Sequence, residues 1–97
     1  MATFISLINW TDQGVRNLKE SPARIEAFKS LCAEQGAEVK SLHATMGDYD
    51  FITIIDAPNA DVMAKVVLMV GSLGNVRTKT LPAFEASHFA DMIGSLG

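Results

Sequence analysis

Residues 44–56 constrain the fold of this 97-residue chain most strongly, because a tight polar turn there separates two strand-like segments. Gly47 can adopt a positive φ without steric cost, and the Asp48 and Asp50 carboxylates can bind nearby backbone N–H groups. These residues therefore predict a hairpin turn. The strand that follows, residues 51–55, carries apolar side chains on both faces. A strand of this kind needs cover on both sides of its sheet.

The remaining chain shows alternating strand and helix patterns. The predicted elements are strands 4–10, 38–45, 51–55 and 75–81, a short turn capped by Thr11 or Asp12, and helices 21–35, 60–73 and 85–96. With right-handed crossovers, the order β-α-β-β-α-β plus a C-terminal helix predicts a ferredoxin-like α+β fold. Its four-stranded antiparallel sheet has helices on one face only.

Several residues predict where these elements begin, end or distort. Ser21 is the predicted N-cap of the first main helix, with Pro22 at its first position. Val39 and Leu42 are out of phase by one residue, which indicates a β-bulge or a different register. Pro82 is expected to end the fourth strand, whose lower apolar content is typical of a sheet edge.

The face of the sheet without helices is predicted to be apolar. The residues assigned to it by alternation are Phe4, Ile8, Trp10, Phe51 and Ile55. An apolar patch of that size is unusual on a soluble monomer. A twofold homodimer that packs sheet against sheet would cover it, and pairing of edge strands would give larger assemblies.

Composition excludes several classes of function. The net charge of −3, with eight scattered basic residues, argues against nucleic-acid binding, which needs clustered Lys and Arg. The most apolar segment, residues 62–73, is shorter than the roughly 20 residues needed to cross a membrane. One cysteine, no signal-like start and no linker predict a single cytoplasmic domain over residues 1–97.

Five short motifs along the chain resemble those of the GYD-domain family, named for Gly-x-Tyr-Asp. They are Gly47-Asp48-Tyr49-Asp50, Thr11-Asp12-Gln13-Gly14, Ser21-Pro22-x-Arg24, Ala57-Pro58 and Gly74-Asn75-Val76-Arg77-Thr78-x-Thr80. The resemblance spans nearly the whole chain. It implies membership of the dimeric α+β-barrel superfamily, and hence a fold and a homodimer rather than a particular activity.

Two kinds of function are compatible with that resemblance. The first is a homodimeric module that binds a small molecule or serves in assembly. The alternative is a small enzyme, because related barrel families include cofactor-independent monooxygenases, haem-dependent enzymes and dehydratases. In that alternative Tyr49 and His43 transfer protons at a pocket, and Arg77 or Lys79 holds an acid group. The cofactor is left open.

The candidate catalytic residues are His43, Tyr49 and Asp50. A neutral imidazole titrates near working pH, and a phenol beside a carboxylate can bind or activate a small substrate. Each also has a structural interpretation: His43 as a hydrogen-bonded strand residue, Tyr49 as a packing residue and Asp50 as the residue that ties the turn.

The candidate ligand-binding residues are Trp10, Arg77 and Lys79. Trp10 can stack on a ligand or fill a core, and the two cations can hold an anion or protect an edge strand. Cys32 lies on the apolar side of its helix, which favours an inert thiol. His88, in Glu85-x-x-His88-x-x-Asp91, has no second ligand set, so no metal site is predicted.

Overall fold

The computed structural model describes residues 1–97 and has the predicted order of elements. These are β1 (Ala2–Trp10), α1 (Asp12–Arg16), a 3-10 turn (Leu18–Glu20), α2 (Ser21–Glu34), β2 (Glu38–Ala44), β3 (Phe51–Ala57), α3 (Ala60–Ser72), β4 (Val76–Ala83) and α4 (Ala86–Gly94). The strands form one antiparallel sheet in the order β2-β3-β1-β4. This is the ferredoxin-like α+β arrangement, as the sequence predicted.

Most of the predicted element ends are confirmed. The Thr11 side chain accepts a hydrogen bond from the Gly14 N–H (3.2 Å) and so caps α1. Asn59 caps α3 by accepting from the Val62 N–H at 2.9 Å. Gly36, with φ of +80°, follows α2 in the left-handed region, where glycine is favoured.

Two predicted ends are wrong. Ser21 is the first residue of α2 rather than its cap; Glu20 precedes the helix, and the Ser21 hydroxyl instead accepts from Arg24. Pro82 does not end β4, which continues to Ala83 with Pro82 opposite Phe4. Because β4 is an edge strand, a residue without an N–H is tolerated in it.

The predicted β-bulge is present in β2. Val39 pairs with Ile55 and Ser41 pairs with Ile54, so Lys40 is the extra residue on the β2 side. The bulge places Leu42 opposite Thr53 and His43 opposite Ile52. It therefore accounts for the change of phase between Val39 and Leu42 in the sequence.

The predicted faces of the sheet are reversed. Phe4, Ile8, Phe51 and Ile55 are at most 8% exposed and lie on the face that the helices cover, where Cys32, Met63 and Val66 complete the core. By strand alternation and pairing, the face without helices instead carries Ile5, Leu7, Ile52, Ile54 and Leu81. We call these five residues the open face; Ile54 and Leu81 are its most exposed members.

Two hydroxyl groups are buried in the helix-covered face, and both have partners. The Thr53 hydroxyl donates to the Ser41 carbonyl oxygen at 2.7 Å, and the Ser6 and Thr80 hydroxyls are 2.9 Å apart. Hydrogen bonding removes most of the cost of burying such groups. This face is therefore a stable core despite its polar atoms.

The C-terminal helix packs little against the rest of the chain. Phe89 and Ile93 on one side of α4, and Leu96 in the turn after it, are each more than half exposed. The longest dimension of the molecule is 53 Å. None of the helices has the length and apolar content that crossing a membrane requires.

Candidate functional site

A groove of about 600 Å³ lies between α2, α3 and the Trp10 end of the sheet. It forms because α2 and α3 make few contacts with each other, so the helices leave this end of the sheet partly uncovered. Its wall is mainly apolar and includes Ile8, Trp10, Ile25, Phe28, Leu31, Leu42, Phe51, Val70 and Leu73. We call this cavity the groove.

Trp10 and Phe51 form the aromatic floor of the groove. Their rings meet edge to face, with centroids 5.1 Å apart and an angle of 84° between the planes. The backbone N–H of Trp10 donates to the Asp50 carboxylate at 2.9 Å, and the Asp50 N–H donates to the Ile8 carbonyl oxygen at 2.8 Å. Asp50 therefore fixes the end of β1 and with it the position of the floor.

Arg24 stands at the rim of the groove and was not predicted as a site residue. Its guanidinium donates to the carbonyl oxygens of Asn17 (3.0 Å) and Gly14 (3.2 Å) and to the Ser21 hydroxyl (3.1 Å). These bonds hold α1 and the following turn against α2. The Ser21-Pro22-x-Arg24 motif was the available signal, but it gave no indication of a groove.

A second set of contacts joins the start of α1 to the loop before β4. The Thr11 N–H donates to the Asn75 carbonyl oxygen at 3.0 Å, and the Thr11 hydroxyl donates to the Gly74 carbonyl oxygen at 2.5 Å. The Gln13 amide donates to the Leu73 carbonyl oxygen at 3.0 Å. We call these contacts, made by residues 11–14 and 73–75, the clasp. Leu73 and Asn75 of the clasp also line the groove.

The hairpin residues have structural partners of their own. The Thr45 N–H and hydroxyl donate to the carbonyl oxygens of Asp50 (2.8 Å) and Tyr49 (2.6 Å). Gly47 has φ of +108°, which a residue with a side chain rarely adopts. The Lys79 ammonium lies 5.7 Å from the centroid of the Tyr49 ring, within cation–π range.

The other predicted site residues lie away from the groove. His43 is exposed on β2, and Arg77 and Lys79 are exposed on β4. The row His43–Ile52–Leu7–Lys79 crosses the whole open side of the sheet. Three strand spacings separate its ends, or about 14 Å. The structure thus brings Tyr49 to Lys79 and Trp10 into the groove, but it places His43 apart from both.

Cys32 and His88 have the surroundings of structural residues. Cys32 is fully buried, and burial raises the pKa of its thiol from 9.0 to about 11. The exposed His88 ring meets the Phe84 ring edge to face, with centroids 5.5 Å apart. No group of three or more His, Cys, Asp or Glu side chains is arranged to hold a metal ion.

The chain matches the family model of the GYD domain over residues 4–93. It belongs to the GYD-domain family. A GYD-type relative from Thermus thermophilus, named "Glutamine synthetase and cystathionine beta-lyase binding protein", is 38% identical over 97 residues, which cover 99% of each chain.

Solved structures agree with the ferredoxin-like fold of this GYD protein. The crystal structure of TTHA0845 from Thermus thermophilus has a TM-score of 0.58 and 27% identity, covering 89% of this chain and 96% of that one. The leucine response regulatory protein LrpA of Mycobacterium tuberculosis has a TM-score of 0.65 and 18% identity. That match covers 88% of this chain and 51% of the other, and it shows the fold alone.

Proposed function

We propose that this GYD protein is a homodimeric binding module that attaches to metabolic enzymes in the cytoplasm. The open face supports this most directly, because five apolar side chains lie on one side of a four-stranded sheet with no helix over them. Two such sheets pack about 10 Å apart, and a twofold dimer buries both patches at once. The Thermus relative, whose name describes binding to two enzymes, suggests the class of partner.

The groove is the surface that we assign to the enzyme partner. It lies on the opposite side of the sheet from the open face, so a dimer through the open face leaves one groove accessible on each copy. Its floor is apolar and aromatic, and Arg24 and Glu34 are among the residues that line it. An apolar centre with a charged rim is the usual composition of a protein–protein interface.

A matched pair of arginine substitutions on α2 tests this assignment. Ala27 lines the groove, whereas Ala33 is exposed on the same helix and is not part of the groove wall. We expect Ala27→Arg to weaken binding to purified glutamine synthetase or cystathionine beta-lyase of the same organism at least tenfold, measured by biolayer interferometry. The Ala33→Arg variant controls for the added charge and should bind like the wild type.

Two results would contradict the proposal in different ways. If the wild type binds neither enzyme, the assigned class of partner is wrong. If the wild type binds and both variants bind equally well, the groove is not the contact surface. A size measurement on the wild type tests the homodimer separately.

The volume of the groove favours a small apolar molecule as a second candidate occupant. About 600 Å³ lies within the range of roughly 300–1,000 Å³ that is usual for small-molecule sites. Native mass spectrometry of protein isolated from its host would reveal such a ligand. If the Ala27→Arg variant no longer carries the ligand, the ligand binds in the groove.

If the protein is an enzyme that uses His43 and Tyr49, its active site must lie outside the groove, since neither residue lines the groove. In such an enzyme the second copy would complete a pocket over the open face. Absorbance during haem titration tests the haem-dependent form, which would give a Soret band.

A further inference from the structure

We propose that α4 is an exchanged arm, whose apolar side packs against a second copy of this chain near the start of that copy's β4. The proposal rests on the homodimer proposed above and adds a contact to it. In α4 the apolar residues recur at helical spacing and face one direction, while Ser87 and Asp91 point away from them. These apolar residues are Phe89, Met92 and Ile93, and Leu96 follows in the turn after the helix.

The chain covers this side of α4 only in part: Met92 is partly buried, whereas Phe89 and Ile93 are more than half exposed. No other element packs extensively against α4. The groove lies at the Trp10 end of β1, whereas α4 follows β4, whose Ala83 pairs with Thr3 at the opposite end of β1. The nine residues of β1 span about 30 Å. A helix of about 14 Å therefore cannot reach the groove of its own copy.

The length of the molecule leaves room for α4 beyond the end of the sheet. The longest dimension, 53 Å, exceeds the length of β1 by about 20 Å, which is comparable to α4 with its last residues. Helices shorter than about 12 residues are marginal in water without packing partners, and α4 has nine residues. A projecting short helix with an apolar side therefore requires a surface from another molecule.

The area of the open face shows why the second copy needs this contact. Four strands spaced about 4.8 Å apart and a length of about 20 Å give a flat contact of about 400 Å². A stable protein interface buries about 800 Å² on each partner. The footprint of the sheet is smaller than that area, and the exposed apolar residues of α4 can add to it.

Charge selects the way in which the second copy is placed. Glu85 immediately precedes α4, and Arg77 and Lys79 form no ion pair within their own chain. A twofold axis perpendicular to the strands lays β4 of one copy antiparallel over β4 of the other, which brings Glu85 to these cations. An axis parallel to the strands would bring it to Asp56 and Glu38, which carry the same charge and are offset only by the exposed Lys40, 3.7 Å from Glu38.

The hairpin carboxylates at the Arg77 end do not compete strongly for those cations. Asp48 and Asp50 flank Tyr49, whose ring reaches Lys79, but neither carboxylate forms an ion pair with Arg77 or Lys79. Asp50 is also engaged by the Trp10 N–H. In the first arrangement of the second copy, Glu85 therefore meets two cations that have no carboxylate partner in their own chain.

Dimer dissociation constants, measured by sedimentation velocity over a dilution series, test the arm. We expect Ile93→Asp to raise the dissociation constant at least tenfold, because it places a charge in the buried contact. Ser87→Asp adds the same charge on the opposite side of α4 and should change the constant less than twofold. Since α4 contacts little of its own copy, circular dichroism should show the same fold for both variants.

Carbodiimide cross-linking locates the contact directly. In a mixture of ¹⁴N- and ¹⁵N-labelled protein, we expect Glu85–Lys79 peptides that contain one light and one heavy half. Finding the cross-link only in peptides of a single label would overturn the exchange. An unchanged dissociation constant for Ile93→Asp would also overturn it.

An Ile54→Asp variant distinguishes failure of the arm from failure of the homodimer. If Ile54→Asp dissociates the dimer while Ile93→Asp does not, the open-face dimer is supported and the proposed exchange of α4 is wrong. If the wild type is monomeric at all concentrations, both the homodimer and the exchange of α4 are wrong.

Discussion

Replacing Gly14 by alanine should destabilise the protein, although the same change normally stabilises a helix. Gly14 lies in α1, and a Cβ added there would be 2.2 Å from the carbonyl oxygen of Asn75. Because ordinary contacts begin near 3.4 Å, the clasp must open by about 1 Å. That movement breaks the bond from the Thr11 N–H to Asn75 and displaces the Gly14 carbonyl oxygen from Arg24.

The size of the effect follows from these contacts. Two or three hydrogen bonds at about 1 kcal/mol each, with overpacking of about 1–3 kcal/mol, outweigh a helix-propensity gain of about 1 kcal/mol. We expect the free energy of unfolding to fall by about 2–5 kcal/mol, measured by urea denaturation. The midpoint of thermal unfolding should fall by roughly 10–25 °C.

Gly71→Ala is the matched control, because Gly71 is also helical and an added Cβ there meets no atom within 4 Å. This variant should gain about 0.5–1 kcal/mol of stability. If Gly14→Ala is as stable as the wild type, the clasp does not fix the end of the groove, and the reasoning from the Asn75 contact is wrong.

Two further substitutions test the hairpin and the core. Asp50→Ala leaves the half-buried Trp10 N–H without its acceptor, so we expect a loss of about 1–3 kcal/mol in urea denaturation. An unchanged stability would refute a role for this bond. Cys32 stays protonated in the folded state up to about pH 11 but ionises near pH 9.0 when unfolded, so its contribution to stability is complete below pH 9 and is lost as pH rises toward 11. The stability difference between wild type and Cys32→Ala should follow that trend, and a difference independent of pH would contradict it.

The order of elements could be predicted from the sequence because it depends on local chemistry. Asn59 and Thr11 bind the first N–H groups of their helices, and Gly36 supplies the positive φ that ends α2. The bulge at Lys40 was visible as a change of phase between Val39 and Leu42. Each of these signals lies within a few residues of the structure that it specifies.

The faces of the sheet could not be predicted in the same way. In β1 and β3 both alternating sets are apolar, so neither set is marked as the core. The helix-covered set includes Ser6 and Thr53, whose burial is tolerated because Thr80 and Ser41 form hydrogen bonds with them. Those partners come from other strands, and a local pattern contains no information about them.

The groove was not predicted: Trp10 was a candidate ligand-binding residue, but it was assigned to the face without helices, and the structure places it on the helix-covered face. The shape of the groove depends on how far α2 stands from α3, and helix separation is set by packing over the whole layer. His43, Tyr49, Arg77 and Lys79 are candidates because of their chemistry, and the structure places all four outside the groove wall. Their roles in catalysis or ligand binding stay predictions that the open-face experiments address.

The motifs that carry the family resemblance mainly fix the backbone conformation of this chain. Thr11, Asp50 and Arg24 each bind carbonyl or N–H groups, and Gly14 and Gly74 permit close approach or a positive φ. Proteins that share motifs of this kind share a fold, whereas the choice of partner depends on exposed side chains. Changes in the motifs should therefore alter stability first, while changes in the groove or α4 should alter binding at unchanged stability. Measuring stability and binding on the same variants would separate the motif residues from the residues of the groove and α4. If a groove variant lost binding only because it unfolded, there would be no basis for assigning the groove to a partner.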